Sequence, residues 1–449
     1  MAAPHSPAGQ GLDIAVIGSG ISGLSCAWLL GSRHRVTVYE KDARIGGHSN
    51  TELAPGTEGV RPVDTGFIVY NEKTYPNLTA LFAHLGVETQ PSDMSFGVSL
   101  RGGRVEYSGT GISGLFAQKS NLLKPRFWAM LAGVMRFYRD APGDIAQLDD
   151  PSITLGDYLA RKGYGSAVRD DHLLPMAAAI WSSPARAVLD YPAGAFIRFC
   201  DNHGLLQVRE RPVWRTVTGG SRSYVRLLCE AIGPGIRTST GAVKVLRLPS
   251  GKVAVKKVDG STATHDHVVL ATHADQALSL LADACEEEQR LLGAFRYSRN
   301  RAVLHADARL MPSRRAVWSS WNYLEDDGDL CVTYWMNRLQ NIPGGDLFVT
   351  LNPPVEPRRE SVVTSTVYEH PIFDARAVHA QREIWSLQGL RNTWFCGAHF
   401  GAGFHEDGLQ AGLAVAEQLG GVRRPWTVEN ESGRIYVSAQ VSRAEGIAA

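Results

Sequence analysis

The chain has 449 residues, 44% of them hydrophobic and 20% charged, the balance of an ordinary globular protein with room for two or three domains. Lys and Arg number 46 against 45 Asp and Glu, a formal charge of +1, which argues against a nucleic-acid binder relying on a concentrated basic surface. No run approaches eighteen apolar residues, residues 1–11 lack the basic and apolar regions of a signal peptide, and a cytoplasmic location is expected.

Organisation begins at once. Residues 12–17 form a short apolar run, predicting a strand buried on both faces. After a glycine cluster, residues 21–30 carry apolar side chains at helical spacing, with Leu24 and Trp28 one turn apart and Gly31 at the end. Residues 35–40 read as a second strand, and the resulting βαβ unit forces parallel pairing. From about 111 to 203 the chain reads as a largely helical insertion, with helices at 121–138, 154–162 and 173–180. Gly219-Gly220-Ser221 leads into a helix at 224–232, and strand signals return at 241–258 around the turn Pro249-Ser250-Gly251. Residues 289–383 mix in β-like runs at 301–306 and 330–336, and from Thr393 a strand, glycine and helix pattern resumes to about 419.

Gly18-Ser19-Gly20-Ile21-Ser22-Gly23 fits G-x-G-x-x-G between the first strand and helix. Gly18 permits the tight turn, Gly20 lets a pyrophosphate approach the backbone, and Gly23 lets the helix pack on the strand. The helix N-terminus offers free N–H groups and a positive dipole end to the phosphates. Glu40 closes the second strand, where a carboxylate accepts from ribose hydroxyls and disfavours a 2′-phosphate. Dinucleotide binding follows. Six cysteines (Cys26, Cys200, Cys229, Cys285, Cys331, Cys396) include no C-x-x-C pair and read as buried thiols, and no grouping has metal-ligand spacing, so no metal centre is expected.

The segment Lys41 through Ile45-Gly46-Gly47-His48 adds a second glycine pair, and here the sequence resembles the flavin amine oxidase superfamily, which includes protoporphyrinogen oxidases and phytoene desaturases. The resemblance implies that this segment runs under the pyrophosphate and ribityl chain of FAD, with His48 where Arg is common. It implies that Gly66 and Phe67, in Val63-Asp64-Thr65-Gly66-Phe67, lie close to the flavin ring. It places the backbone of Val243 at the adenine. It assigns Gly397, Phe404, His405 and Asp407 to a C-terminal segment holding the ribityl chain and the pyrimidine side of the ring. The expected fold is α/β: a discontinuous Rossmann-like FAD-binding domain from 12–105, 205–285 and 388–425, an α+β, partly helical substrate domain from 106–204 and 286–387, and tails at 1–11 and 426–449.

Asp64-Thr65-Gly66-Phe67-Ile68-Val69-Tyr70-Asn71, Pro175-Met176-Ala177-Ala178-Ala179-Ile180-Trp181 and residues 403–408 are similar to one bacterial branch, often encoded beside or fused to cyclopropane-fatty-acid synthases. That association implies a lipid acyl chain as substrate and a methyltransferase of the cyclopropane-synthase kind as partner. Phe404 occupies the place of a cage tyrosine of the amine oxidases; it keeps an apolar wall without the hydroxyl, or is simply a packed core ring. His399 and His405 are expected either to pass a proton at neutral pH or to be structural. Tyr70 and Trp181 read as walls of the substrate cavity or as core, with Phe404 and Trp181 expected near the ring. Residues 121–138 mix Lys124, Arg126, Arg136 and Arg139 with Leu122, Leu123, Phe127, Trp128, Met130, Leu131, Met135 and Phe137. They read as an interfacial helix on anionic lipid, making the protein peripheral to the inner face of the membrane, or as an amphipathic helix buried in the substrate domain. The leading expectation is an FAD-dependent oxidoreductase removing hydride from an apolar chain. The alternatives are an amine oxidase, a redox-neutral double-bond isomerase, and a flavin-bound scaffold for a neighbouring methyltransferase.

Overall fold

A computed structural model describes residues 11–56, 59–181, 185–207 and 211–437; the side chains of Trp181 and of residues 185–187 lie outside that description. The chain divides into two compact units, each discontinuous in sequence. One comprises Met1–Gly47, Val225–Phe295 and His379–Ala449; the other His48–Tyr224 and Arg296–Val378.

The first unit is organised by a five-stranded parallel sheet. Its spatial order is Ile236–Arg237, Arg35–Tyr39, Asp13–Ile17, His267–Leu270 and Thr393–Phe395. Asp13–Ile17 lies in the middle, with Ile14, Ala15 and Val16 at zero exposure, as a strand covered on both faces requires. The helices Ile21–Leu30 and His405–Gly420 pack together closely: a Cβ on Gly412 would stand 2.3 Å from the Ser22 carbonyl oxygen. A three-stranded antiparallel sheet, Ala242–Arg247, Val253–Lys257 and Thr262–His265, completes the predicted strand region around Gly251.

The second unit is built on a seven-stranded mixed sheet, in the order Val362–Ile372, Arg296–His305, Phe348–Leu351, Asp329–Trp335, Trp321–Asp326, Phe96–Leu100 and Val105–Ser108. Every neighbouring pair is antiparallel except Trp321–Asp326 with Phe96–Leu100. A hairpin, Thr51–Gly56 with Gly59–Asp64, and a small sheet of Val69–Asn71, Trp214–Val217 and Thr89–Pro91 belong to the same unit. The helices Pro125–Asp144, Leu155–Arg161, Leu174–Trp181 and Ala193–Asn202 form its helical part. This two-part α/β architecture is the expected fold class.

The units part from the expected domain ranges at 48–105, 205–224, 286–295 and 379–387. Residues 51–71 and 89–108 pair with strands of the second unit and none with the parallel sheet, so compactness draws them there. The expected helix from 121 starts instead at Pro125. Proline has no N–H to give and holds Lys124 extended (φ −98°, ψ 108°), so Lys119–Leu123 forms a separate 3-10 turn.

Candidate functional site: a dinucleotide turn and a neutral glycine segment

In the first unit the strand Asp13–Ile17 runs into Gly18, whose φ of +103° is left-handed and suits glycine. A Cβ on Gly23 would come within 2.0 Å of the Gly18 carbonyl oxygen, so only glycine lets the helix begin this close to the strand. No side chain caps that helix, and its first backbone bond is Leu24 N–H to Gly20 O at 2.9 Å. The N–H groups of Ile21, Ser22 and Gly23 therefore precede the helical ladder. A Cβ on Gly20 would meet nothing within 4 Å, so open space lies over the turn.

Glu40 is buried and fixed beside that turn. Its Oε2 accepts from Ser19 N–H at 2.9 Å and Ser19 Oγ at 2.6 Å, and its Oε1 accepts from Asp42 N–H at 2.9 Å. A carboxylate has roughly four lone-pair sites, which leaves acceptor capacity for a hydroxyl. The second glycine pair folds back on the first turn: Gly46 N–H donates to Ser19 O at 3.1 Å, and a Cβ on Gly47 would stand 3.0 Å from Gly20 Cα. Residues 239–240 run beside Glu40, with Thr240 N–H on Glu40 O at 2.8 Å and Ser239 N–H on Asp42 O at 3.0 Å. Val243 follows at a register shift between Ala242 and Lys244, and is half exposed. Lys41 is exposed.

The C-terminal segment of this unit runs from Thr393–Phe395 through Gly397 to the helix His405–Gly420. Gln381 Nε2 holds its turn by donating to His399 O at 2.9 Å and to Gly401 O. His399 is buried between Phe295 and Phe400, with ring centroids 5.2 and 4.9 Å away. Burial, with a smaller contribution from His273, pushes its pKa down to about 3. His405, closely surrounded by protein although part of its surface stays accessible, is pushed to about 3 by the same desolvation. Both imidazoles are therefore held in the neutral form at neutral pH. Asp407 caps the helix, accepting Phe404 N–H at 2.7 Å, and is paired with Arg434 at 2.6 Å. Burial raises its pKa against the pull of Arg434.

The remaining residues singled out from sequence belong to the second unit. A Cβ on Gly66 would stand 2.2 Å from His48 O, and Phe67 N–H donates to that same oxygen at 2.8 Å, so glycine is what lets the two segments touch. Thr65 Oγ1 and the Tyr368 hydroxyl are 2.7 Å apart, and Asn50 Nδ2 donates to both. The His48 ring lies 5.1 Å from Tyr368 and 5.4 Å from His370. Phe67 meets Tyr224 edge-on at 6.4 Å. Tyr70 packs edge-on against Phe82 at 5.3 Å, in a buried aromatic cluster with Tyr75. Trp181 ends the helix Leu174–Trp181.

A hydrogen-bond relay sets the tautomer of His370. Arg301 N–H, which only donates, binds Asn352 Oδ1 at 2.9 Å, so Asn352 Nδ2 donates to Asn300 Oδ1 at 2.8 Å. Asn300 Nδ2 must then donate to His370 Nδ1 at 3.0 Å. Neutral His370 carries its proton on Nε2.

A family profile described as flavin containing amine oxidoreductase matches residues 21–305, more than half of the chain. The chain belongs to that family. It is an FAD-dependent oxidoreductase, and its cofactor is FAD. No curated protein matches the chain in sequence. Among solved structures, a putrescine oxidase bound to putrescine is similar at 14% identity and a TM-score of 0.68, covering 91% of this chain and 99% of that one. A CLA-producing fatty acid isomerase from P. acnes is similar at 16% identity and 0.64, covering 91% and 98%. Cyclohexylamine oxidase from Brevibacterium oxydans IH-35A stands at 17% and 0.63, covering 91% and 99%. At these identities the likeness is one of fold.

The residues present suit the cofactor of the amine oxidoreductases. An uncapped helix start, open space over Gly20 and a buried carboxylate with acceptor capacity are what a dinucleotide needs. His399 Nε2, on the glycine segment, is buried with no hydrogen-bond partner among the described residues. Sequence reasoning missed Tyr368, His370, Asn300 and Asn50, because no local pattern marks residues that meet only across strands. Strand pairing brings three of them together, Asn300 opposite Tyr368 and Ser298 opposite His370, and Asn50 reaches Tyr368 from a loop. Among the described residues no cluster could hold a metal.

Proposed function

We propose that this FAD-dependent oxidoreductase acts on an apolar substrate, a lipid acyl chain, by desaturation or oxidation. The observation that carries this reading is the neutrality of the glycine segment 397–405. Its two histidines are held uncharged by burial, its other large side chains are Phe400 and Phe404, and the nearby Asp407 is matched by Arg434. Placed against a substrate, this segment offers an ammonium group no charge of its own, the Glu406 carboxylate just beyond it being bonded to Gln410, and costs a methylene chain nothing in desolvation. Bound FAD supplies the hydride acceptor. The chain supplies orientation and exclusion of water, with Ile21, Ser22 and Gly23 N–H groups and Glu40 proposed to hold the dinucleotide, and Gly46, Gly47, Val243 and Gly397 the neighbouring stretches.

The association of the similar bacterial branch with cyclopropane-fatty-acid synthases supports the same substrate class. The test is anaerobic mixing of the yellow holoprotein with saturated, unsaturated and cyclopropane acyl lipids, and separately with putrescine and cyclohexylamine. Bleaching of the visible flavin band by an acyl lipid, with a product lighter by two hydrogens, is the expected result. Bleaching by amines alone overturns the reading. An acyl product of unchanged mass and shifted ultraviolet absorbance would instead assign a redox-neutral double-bond isomerisation.

A further inference from the structure

The second unit exposes an unusual surface around the helix Pro125–Asp144. That helix buries Phe127, Met130, Val134, Phe137 and Ala141 on one side, as an ordinary amphipathic helix does. Its other side is also apolar: Trp128 and Met135 are 48% and 56% exposed. The turns just before it add Ile112 at 79% and Leu123 at 86%, with Leu122 between. Burial of one face therefore leaves a second hydrophobic face unexplained by packing within the unit.

The charge carried by this stretch itself has one sign. From 107 to 139 the sequence holds Lys119, Lys124, Arg126, Arg136 and Arg139 and not one Asp or Glu. Arg126 is paired with Asp171 and Arg139 with Asp140. Lys124 donates to Arg104 O and Asn121 Oδ1, while Arg136 donates to Lys162 O and lies over the Tyr164 ring, contacts that hold these cations without neutralising them. Burial and the charges of Arg101 and Arg314 hold the Lys124 ammonium below its ordinary value. A groove of about 290 Å³ runs beside the exposed face, lined by small residues including Ala129, Ala132 and Gly133, with Arg136 at its edge.

We propose that this face, Ile112, Leu122, Leu123, Trp128 and Met135 rimmed by Lys119, Lys124 and Arg136, is a docking surface for an anionic phospholipid bilayer. Exposed Leu and Trp with Lys and Arg at the rim are what an interfacial helix presents to headgroups and upper acyl chains. Cations at the rim that no carboxylate neutralises complement the anionic headgroups of a bilayer, which favours lipid as the occupant. The contact is interfacial, since no helix among the described residues is long and apolar enough to cross a membrane. The inference does not rest on the acyl-chain reading, and its test reads no turnover.

The experiment is flotation of the FAD-loaded protein with vesicles of phosphatidylglycerol or of phosphatidylcholine alone. The expected result is binding to the first, weakened by salt, and little to the second. The double variant Leu123→Glu/Met135→Glu changes two exposed side chains, so it should keep its FAD and melting temperature while losing at least tenfold in the bound fraction. Lys119→Gln/Lys124→Gln should lower the preference for phosphatidylglycerol. Failure of the wild type to float with phosphatidylglycerol overturns the proposal, as does equal binding by the double-Glu variant. Concentration-dependent self-association that the double-Glu variant abolishes, without vesicle binding, assigns the face to a second copy of the chain and likewise overturns it.

Discussion

Glu40 is the residue on which two tasks meet. Its carboxylate already organises the turn through Ser19 and Asp42 while keeping capacity for a ribose hydroxyl. If Glu40 holds the ribose as proposed, Glu40→Ala removes charge-assisted bonds to the cofactor worth about 1.5–3 kcal/mol, and unfastens the turn as well. FAD dissociation, followed by recovery of free-flavin fluorescence, should strengthen by roughly ten- to a hundredfold in the variant. Asp64 offers a second test at this scale. It accepts from Thr51, Ser221 and Gln340, yet burial raises its pKa to about 6. A carboxyl with a raised folded pKa binds more protons folded than unfolded between 3.8 and about 6, so its contribution to stability falls as pH rises through that window. The full effect is roughly 3 kcal/mol. His172, His305, His399 and His405 act in the opposite sense: depressed to about 3 or 4, they cost stability as pH falls below 6.5. Four groups outweigh one, so urea titrations should show net loss of stability on acidification from pH 6.5 to 4. Asp64→Asn should steepen that loss, and a shallower profile would count against the assignment.

Elements show where sequence was legible. The strand, helix and strand from Asp13 to Tyr39 were readable because apolar period, glycine spacing and the terminal Glu agree within thirty residues. The start of Pro125–Asp144 was misread because apolar spacing continues smoothly across Pro125, while the proline's missing N–H decides the boundary. His48 was marked by its glycine segment, but Tyr368 and His370, which its ring faces, were not readable: they come from the distant strand Val362–Ile372, and imidazole and phenol carry no local signature. Gly23→Ala tests the tightest contact of the readable part. Its Cβ would have to displace backbone at Gly18, an overpacking cost of about 1–3 kcal/mol. A lower melting temperature and weaker FAD retention are expected together; loss of neither would show that the turn relaxes freely.

For the whole molecule, the six cysteines report on packing. Cys26, Cys200, Cys331 and Cys396 are buried, Cys229 is intermediate and Cys285 exposed. The hydrogen bond with Cys396, and burial after it, raises the pKa of Cys26, and burial raises those of Cys200, Cys229 and Cys331, which lowers thiolate content further. A maleimide should therefore label Cys285 first, Cys229 slowly, and all six only after denaturation, as intact mass would show.

The segmented build of the parallel sheet also governs how the protein comes into being. Ile14 pairs with His267, and Val269 with Trp394, so these neighbouring strands leave the ribosome more than a hundred residues apart. At about 5–20 residues per second the strand Asp13–Ile17 waits roughly 10–50 s for its inner neighbour. Over that interval it presents an apolar edge with half of its backbone pairing missing. The cofactor pocket is thus among the last parts to form, and nascent chains should need a chaperone early while acquiring flavin late. Stalled chains ending before Thr393 should carry no FAD, whereas chains released after Gly420 should.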